Sequence, residues 1–317
     1  MGKDYLYYKY SDFLKKQYLA KVYKLPVNLP VTCPNRVNGQ GCSFCAESGT
    51  GFEAMSAEIS VTEQLMKTQE FIRRRYKAQK FIVYLQNYTN TYLPLGSLRK
   101  YMEEAAKLPD IVEIAISTRP DCIREDYLDV MEEIADTCHI SIGIELGLQT
   151  ANYHTLKEIR RGHGLAEYLD ACLRIQKRDF LLCTHAILNL PGDTLEDVIE
   201  TAKIISIMGN HLVKAHSLYI ARETEMARLF ETGRLEIGTK EDYFLRLQTF
   251  LEYLSPDIAV ERLFSRIPEA EALFSNWRTS WWKLQDEFLA HMEAHKSFQG
   301  KRYDYRNGPA LKIFDDR

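Results

Sequence analysis

Three cysteines in the segment Thr32-Cys33-Pro34-Asn35-Arg36-Val37-Asn38-Gly39-Gln40-Gly41-Cys42-Ser43-Phe44-Cys45 are the residues whose type and spacing point most directly to chemistry. Eight residues separate Cys33 from Cys42, and two separate Cys42 from Cys45. A Cys-x-x-Cys pair lets two thiolates converge on one metal centre, and the Gly- and Asn-rich stretch before it lets a third reach the same point. Three readings compete. A structural zinc site wants four closed ligands, and no His or Cys close by completes the set, the next cysteine being Cys122. A redox pair uses Cys42 and Cys45 and leaves Cys33 idle. A four-iron cluster on three thiolates uses all three and leaves one iron open, where the amino and carboxylate groups of S-adenosylmethionine can chelate in radical chemistry. The spacing of Cys33 from Cys42 is longer than the common radical-enzyme spacing, so the rest of the chain has to decide.

The elements that must hold this loop repeat along the chain. The extended-looking Leu25-Pro26-Val27-Asn28-Leu29-Pro30-Val31 precedes the cysteines. Ser60-Val61-Thr62-Glu63 is a capping-box signature that opens a helix reaching about Tyr76, with Val61, Leu65, Ile72 and Tyr76 on one face. Apolar runs at 81–85, 111–116, 140–146, 181–190 and 212–220 read as buried strands, with helical stretches near 97–107, 125–136, 165–178 and 195–208 between them. With the strand before Cys33 this makes six β–α units in a row. Such alternation predicts an α/β fold with a parallel sheet and right-handed crossovers, a partial (β/α)6 TIM-like barrel. Chemistry in such barrels lies at the C-terminal ends of the strands, where the cysteine loop falls.

Fully buried parallel strands should be nearly continuous Val, Ile and Leu. Here polar residues recur at the strand ends: Gln86 and Asn87, then Ser117, Thr118 and Arg119, Glu145 and Gln149, Cys183 and His185, and Lys214 and His216. A lone buried histidine is usually a satisfied structural group. Two of them with Glu145, aimed at one barrel mouth, read as a site, with Glu145 and His216 as candidate catalytic residues.

The 317 residues divide into a basic, aromatic extension (1–24), a barrel core (25–222) and a C-terminal extension packed on the core (223–317). Helices are predicted at 223–233, 241–254 and from Trp277 to about Lys296, with an extended piece at 258–264. A net charge of −3 carries no global nucleic-acid signature, so any RNA contact must come from a local patch. Six lysines against Asp4 and Asp12 leave residues 1–24 at +4, interleaved with tyrosines; the tail 296–306 carries Lys301, Arg302, Tyr303, Tyr305 and Arg306. Lys15, Lys16, Lys301 and Arg302 are expected beside the barrel mouth, holding an RNA whose splayed base reaches towards His216 and Glu145. The competing expectation is an N-terminal helix that packs its tyrosines on the body. Seven cysteines with no secretory leader, and no apolar run of membrane-spanning length, predict a cytoplasmic protein without a membrane partner.

The chain resembles the YhcC/YtqA-like radical S-adenosylmethionine proteins, relatives of the catalytic subunit of Elongator. The resemblance rests on Thr32-Cys33-Pro34-Asn35-Arg36, Tyr88-Thr89-Asn90-Thr91-Tyr92, Ser117-Thr118-Arg119-Pro120-Asp121-Cys122, Glu145-Leu146-Gly147-Leu148-Gln149-Thr150, Arg161-Gly162-His163 and Cys183-Thr184-His185 followed by Leu190-Pro191-Gly192. These segments occur in order over roughly 25–225; beyond them Arg262 and Trp277 fit, while Pro268 to Asn276 departs from the family's wording. The resemblance implies a [4Fe-4S] cluster on Cys33, Cys42 and Cys45, S-adenosylmethionine as second cofactor, and an electron donor such as flavodoxin or ferredoxin. It implies further that Gln149 and His185 hold the ribose, Arg161 pairs with the methionine carboxylate, Ser117 meets the methionine end and Ile187 packs on adenine. The family's strand-two Gly-Gly-Glu is absent, and Gln86-Asn87 occupies its place. The implied reaction is on tRNA, shortening a carboxymethylaminomethyl group on the wobble uridine to aminomethyl. The alternatives are a radical enzyme acting on a small metabolite or peptide, and a non-catalytic metal-binding RNA module.

Overall fold

A computed structural model describes residues 5–46 and 54–314, so Lys3 and Asp4 of the basic extension lie outside the described residues. Seven parallel strands form one sheet: β1 (Val22–Val27), β2 (Lys80–Leu85), β3 (Ile111–Thr118), β4 (Ser141–Gln149), β5 (Leu181–Ile187), β6 (Leu212–His216) and, after a two-residue β7 (Ile220–Ala221), β8 (Ala259–Arg262). Their spatial order follows the chain, β1-β2-β3-β4-β5-β6-β8, and the sheet curls into a half-barrel. The expected six strands are all present, and the extended piece near 258–264 adds a seventh to the same sheet.

Strand alternation sorts the side chains. Leu25 and Val27, Phe81, Val83 and Leu85, and Ile114 and Ile116 face outward into the main apolar core with the covering helices. Those helices are the longer members of a set numbered in chain order: α1 (Tyr10–Tyr18), the short α2 (Pro34–Val37), α3 (Val61–Tyr76), α4 (Leu95–Ala106), α5 (Glu125–Cys138), α6 (Tyr153–Glu158), α7 (Leu165–Ile175) and α8 (Leu195–Ile207). In α3 the Ser60 side chain accepts from the Glu63 amide, while the Glu63 side chain pairs with Lys67 at 2.6 Å, so one half of the expected capping box forms. The C-terminal extension supplies α9 (Glu225–Glu231), α10 (Lys240–Tyr253), a short β9 (Ala272–Phe274) pairing with β7, and α11 (Trp281–Ala294). Helix α11 starts four residues later than its sequence suggests. Asn276, Trp277 and Arg278 all take left-handed backbone (φ 48°, 49° and 56°), and the Trp277 indole donates to the Gly238 carbonyl at 2.8 Å.

The inner face is closed at its N-terminal end by α1. Tyr10, Phe13 and Leu14 pack on Val22, Ile82, Ala115, Leu212 and Ala259, and the Tyr18 hydroxyl donates to Glu113 Oε2 at 2.5 Å. Tyr8, Tyr10 and Tyr18 thus help to plug the barrel floor. This corrects one expectation. Lys15 and Lys16 sit in the last turn of α1, and Lys301 and Arg302 lie 3.8 and 2.8 Å from Glu252 at the end of α10, below the start of β8. These basic residues lie at the floor, opposite the cysteine loop, because the apolar faces of α1 and of the tail are spent on closing that end.

Candidate active site

Above the floor the half-barrel holds a layer of buried charge. Glu145 on β4 is 1% exposed. Its Oε1 accepts from Lys24 Nζ at 2.7 Å, and its Oε2 from Lys214 Nζ at 2.6 Å and His185 Nε2 at 2.7 Å. Glu261 on β8 takes the same two ammonium groups, at 2.7 Å from Lys24 and 3.2 Å from Lys214, and the two carboxylates offset the two cations. Burial alone would raise the Glu145 carboxyl, but the two lysines and His185 outweigh it and hold it well below the usual range. Glu113, whose partner is a tyrosine, goes the other way: burial pushes it up to about 7.

A cavity of about 940 Å³ opens over this layer at the C-terminal ends of the strands. Its wall includes Cys33, Cys42 and Cys45 together with Gln86, Ser117, Gln149, Arg161, His185, Ile187 and His216, all read from the sequence as site residues. Two such residues are not in the wall. Asn87 is buried behind it, and Glu145 lies a layer below with both oxygens engaged, where it supports His185. Burial lowers the pKa of His185, and it lowers that of His216 more strongly, with help from His185, Arg262 and Lys214. Both rings are neutral near pH 7, with centroids 5.4 Å apart. A neutral His185 donating through Nε2 to Glu145 turns an acceptor Nδ1 elsewhere. The Nε2 of His216 is buried and has no hydrogen-bond partner among the described residues.

Each thiol has its own guanidinium. Arg36 lies 3.5 Å from Cys45 Sγ, Arg119 is 3.8 Å from Cys33 Sγ, and Arg161 is 3.6 Å from Cys42 Sγ. All three arginines are anchored elsewhere too: Arg36 on the Cys45 carbonyl at 2.8 Å, Arg119 bidentate on Asp121 at 2.7 and 2.8 Å, and Arg161 on the Gly147 carbonyl at 2.7 Å. A Cβ at Gly147 would stand 2.6 Å from the Arg161 guanidinium, so any larger residue there would push that guanidinium out of place. Gly162, at φ 78°, likewise leaves room for Asn35 and Arg119. The sequence reading overlooked Arg36 as a partner for sulfur, although its place inside the cysteine segment is the signal that could have found it.

The donor set suits a cluster better than a single ion. Among the described residues, the His, Cys, Asp or Glu ligand atoms gathered within 4.8 Å of one another belong to Glu145, Cys183 and His185, and that carboxylate already holds two lysines. The loop thiols ring a wider space, and three guanidiniums match the negative charge that thiolate ligands bring to iron and sulfide.

Comparison with known proteins agrees with this geometry. The model of the Radical SAM superfamily matches residues 27–205, and that of the Radical_SAM C-terminal domain matches 211–294. Protein YtqA of Bacillus subtilis is 30% identical over 298 residues, covering 93% of this chain and 92% of its own length. Protein YhcC of Escherichia coli is 30% identical over 285 residues, covering 89% and 91%. Among solved structures, archaeal Elp3 of Methanocaldococcus infernus lacking its N-terminus superposes with a TM-score of 0.70 at 14% identity. That alignment covers 88% of this chain and 64% of Elp3, and shows a shared fold. Among the described residues no helix is long and apolar enough to cross a membrane.

Proposed function

Because this chain belongs to the Radical SAM superfamily, alongside YtqA and YhcC, we propose that it modifies the wobble uridine of tRNA, shortening a carboxymethylaminomethyl group to aminomethyl. The observation that carries the radical part of this reading is the set of three cavity-wall thiols, each beside its own guanidinium. When bound, a [4Fe-4S] cluster with S-adenosylmethionine on its open iron supplies a hydrogen-abstracting deoxyadenosyl radical.

The chain's own residues do the holding. Cys33, Cys42 and Cys45 provide thiolates, and Arg36 and Arg119 balance their charge. Arg161 is the guanidinium suited to the methionine carboxylate, with Ser117 and Gln86 near the same end. Gln149 and the Nδ1 of His185 suit vicinal hydroxyls, because Glu145 fixes the other imidazole nitrogen. Ile187 offers apolar contact to adenine. At the rim, Arg266 stacks 3.9 Å from the Trp281 ring, and this platform with Arg278 suits RNA phosphates and an unpaired base.

The test uses anaerobically reconstituted protein and tRNA that carries carboxymethylaminomethyluridine. The expected outcome is iron bound through the three cysteines, lost on changing any one to Ala but kept when Cys122, Cys138 or Cys172 is changed. Nucleoside mass spectrometry should show aminomethyluridine appearing as deoxyadenosine forms. Protein that binds one zinc and no iron sinks the radical reading. Iron-loaded protein that forms deoxyadenosine but leaves this tRNA unchanged sinks the substrate.

A further inference from the structure

Arg262 ends β8 at the cavity wall and is half-buried. The other half-buried or buried cations of that wall have acceptors: Arg36 and Arg161 on carbonyls, Arg119 on Asp121, Lys214 on Glu145. Among the described residues the Arg262 side chain makes no hydrogen bond or ion pair. Its neighbour Glu261 is already spent on Lys24 and Lys214. A guanidinium that lines a cavity with no acceptor of its own leaves its N–H donors for a ligand anion.

The position is built, and a β-bulge builds it. Val213 pairs with Val260 and Lys214 with Arg262, so the ladder skips Glu261. Without the extra residue, alternation would turn one of Glu261 and Arg262 away from the barrel interior. With it, Glu261 completes the charged layer and Arg262 projects into the cavity above that layer. His216 stands beside it on β6, two residues beyond Lys214, with its buried Nε2 unpartnered and its ring within the field of Arg262.

We propose that Arg262 and His216 form the substrate's anion subsite and take a carboxylate; for a tRNA substrate, a point that rests on the function proposed above, this is the acid of the carboxymethylaminomethyl group. A guanidinium can hold a carboxylate through two parallel N–H donors, and a neutral imidazole N–H adds a third. A backbone phosphate is the other oxyanion that suits arginine. Arg262 lies inside the cavity directly above the charged layer, whereas Arg266 and Arg278 are exposed on the rim where a polymer backbone would run. The depth selects a group on a side chain that enters the barrel.

The experiment measures binding of anticodon stem-loops to cluster-reconstituted protein with S-adenosylmethionine. The loops are identical except for carboxymethylaminomethyluridine or aminomethyluridine at the wobble position. Wild-type protein should prefer the acid-bearing loop by about ten- to a hundredfold, the worth of hydrogen bonds to a charged group. Arg262→Gln should level the two, and Arg262→Lys should keep part of the preference. Equal binding of the two loops by wild type, or a preference that survives in Arg262→Gln, overturns the carboxylate subsite and leaves the tRNA reading standing. If neither loop binds, the tRNA reading falls and N-methylglycine decides the subsite. It should shift the His216 ring resonance of wild-type protein and not that of Arg262→Gln. No shift in wild type overturns the proposal.

Discussion

Of the three glutamates inside the barrel, Glu145 and Glu113 should respond to neutralisation in opposite ways. Glu145 sits between Lys24 and Lys214 at 2.7 and 2.6 Å, with its carboxyl held well below the usual range. Glu145→Gln leaves Glu261 as the one carboxylate facing two buried ammonium groups, and breaking such a pair costs about 3–5 kcal/mol. This contribution exists above the unfolded carboxyl pKa, so the variant should be destabilised across neutral and alkaline pH and approach wild type only in acid. Glu113 is the reverse case. Its carboxyl titrates near 4.5 when unfolded and about 7 when folded, since burial disfavours its charge. Below pH 4 both states hold the proton and the group costs nothing. Above pH 7 the folded protein carries a charge it resists, worth about 3 kcal/mol at roughly 1.4 kcal/mol per pH unit. Glu113→Gln keeps an acceptor for Tyr18, so it should stabilise the protein by up to that amount at pH 8 and not at pH 4.5. Urea unfolding at both pH values reads this directly. If the two variants shift stability in the same direction at pH 8, the charge assignment of this layer is wrong.

Gly147→Ala places a methyl group against the Arg161 guanidinium and should weaken S-adenosylmethionine binding by about tenfold or more with little change in unfolding, as measured by equilibrium dialysis. Unchanged affinity would mean that Arg161 does not hold the cofactor. Neutralising Arg266 and Arg278 at the rim should weaken stem-loop binding and flatten its salt dependence, whereas neutralising Lys15, Lys16, Lys301 and Arg302 at the floor should leave both as they were. The opposite pattern would move the RNA surface to the floor.

The strands and the cysteine loop were readable because their signals are local. A run such as Phe81-Ile82-Val83-Tyr84-Leu85 has to be buried, and a Gly- and Asn-rich link between thiols has to be a loop. The charged layer was hidden because its members are far apart in sequence. Lys24 lies in a lysine- and tyrosine-rich stretch that reads as a basic surface, and only the alternation of Val22, Lys24 and Pro26 against Tyr23, Leu25 and Val27 turns it inward. Glu261 stands on a strand read as an isolated extended piece, since no β–α rhythm announces it. Glu145 was found but misplaced. Its strand and neighbours are those of a site residue, while the two lysines that take up its oxygens come from the first and sixth strands. Chain-end charge misled for a related reason: lysines on α1 say nothing of which end of the barrel the helix's apolar face will close.

Register breaks explain how a regular barrel becomes a site. Beside β5 the ladder skips Leu148, setting Gln149 level with Ala186, and the Gln149 backbone turns to φ 81°. Beside β6 it skips Glu261 and aims Arg262 into the cavity. A strict period of two gives every strand the same face-in, face-out rule, which suffices for a core but offers each strand end few polar groups. One added residue per ladder changes that locally, at the cost of an unpaired backbone position and a sharper twist. The two breaks flank the His185–His216 pair, on β4 and on β8. Polar side chains therefore converge from both sides on a space that unbroken alternation would line more sparsely.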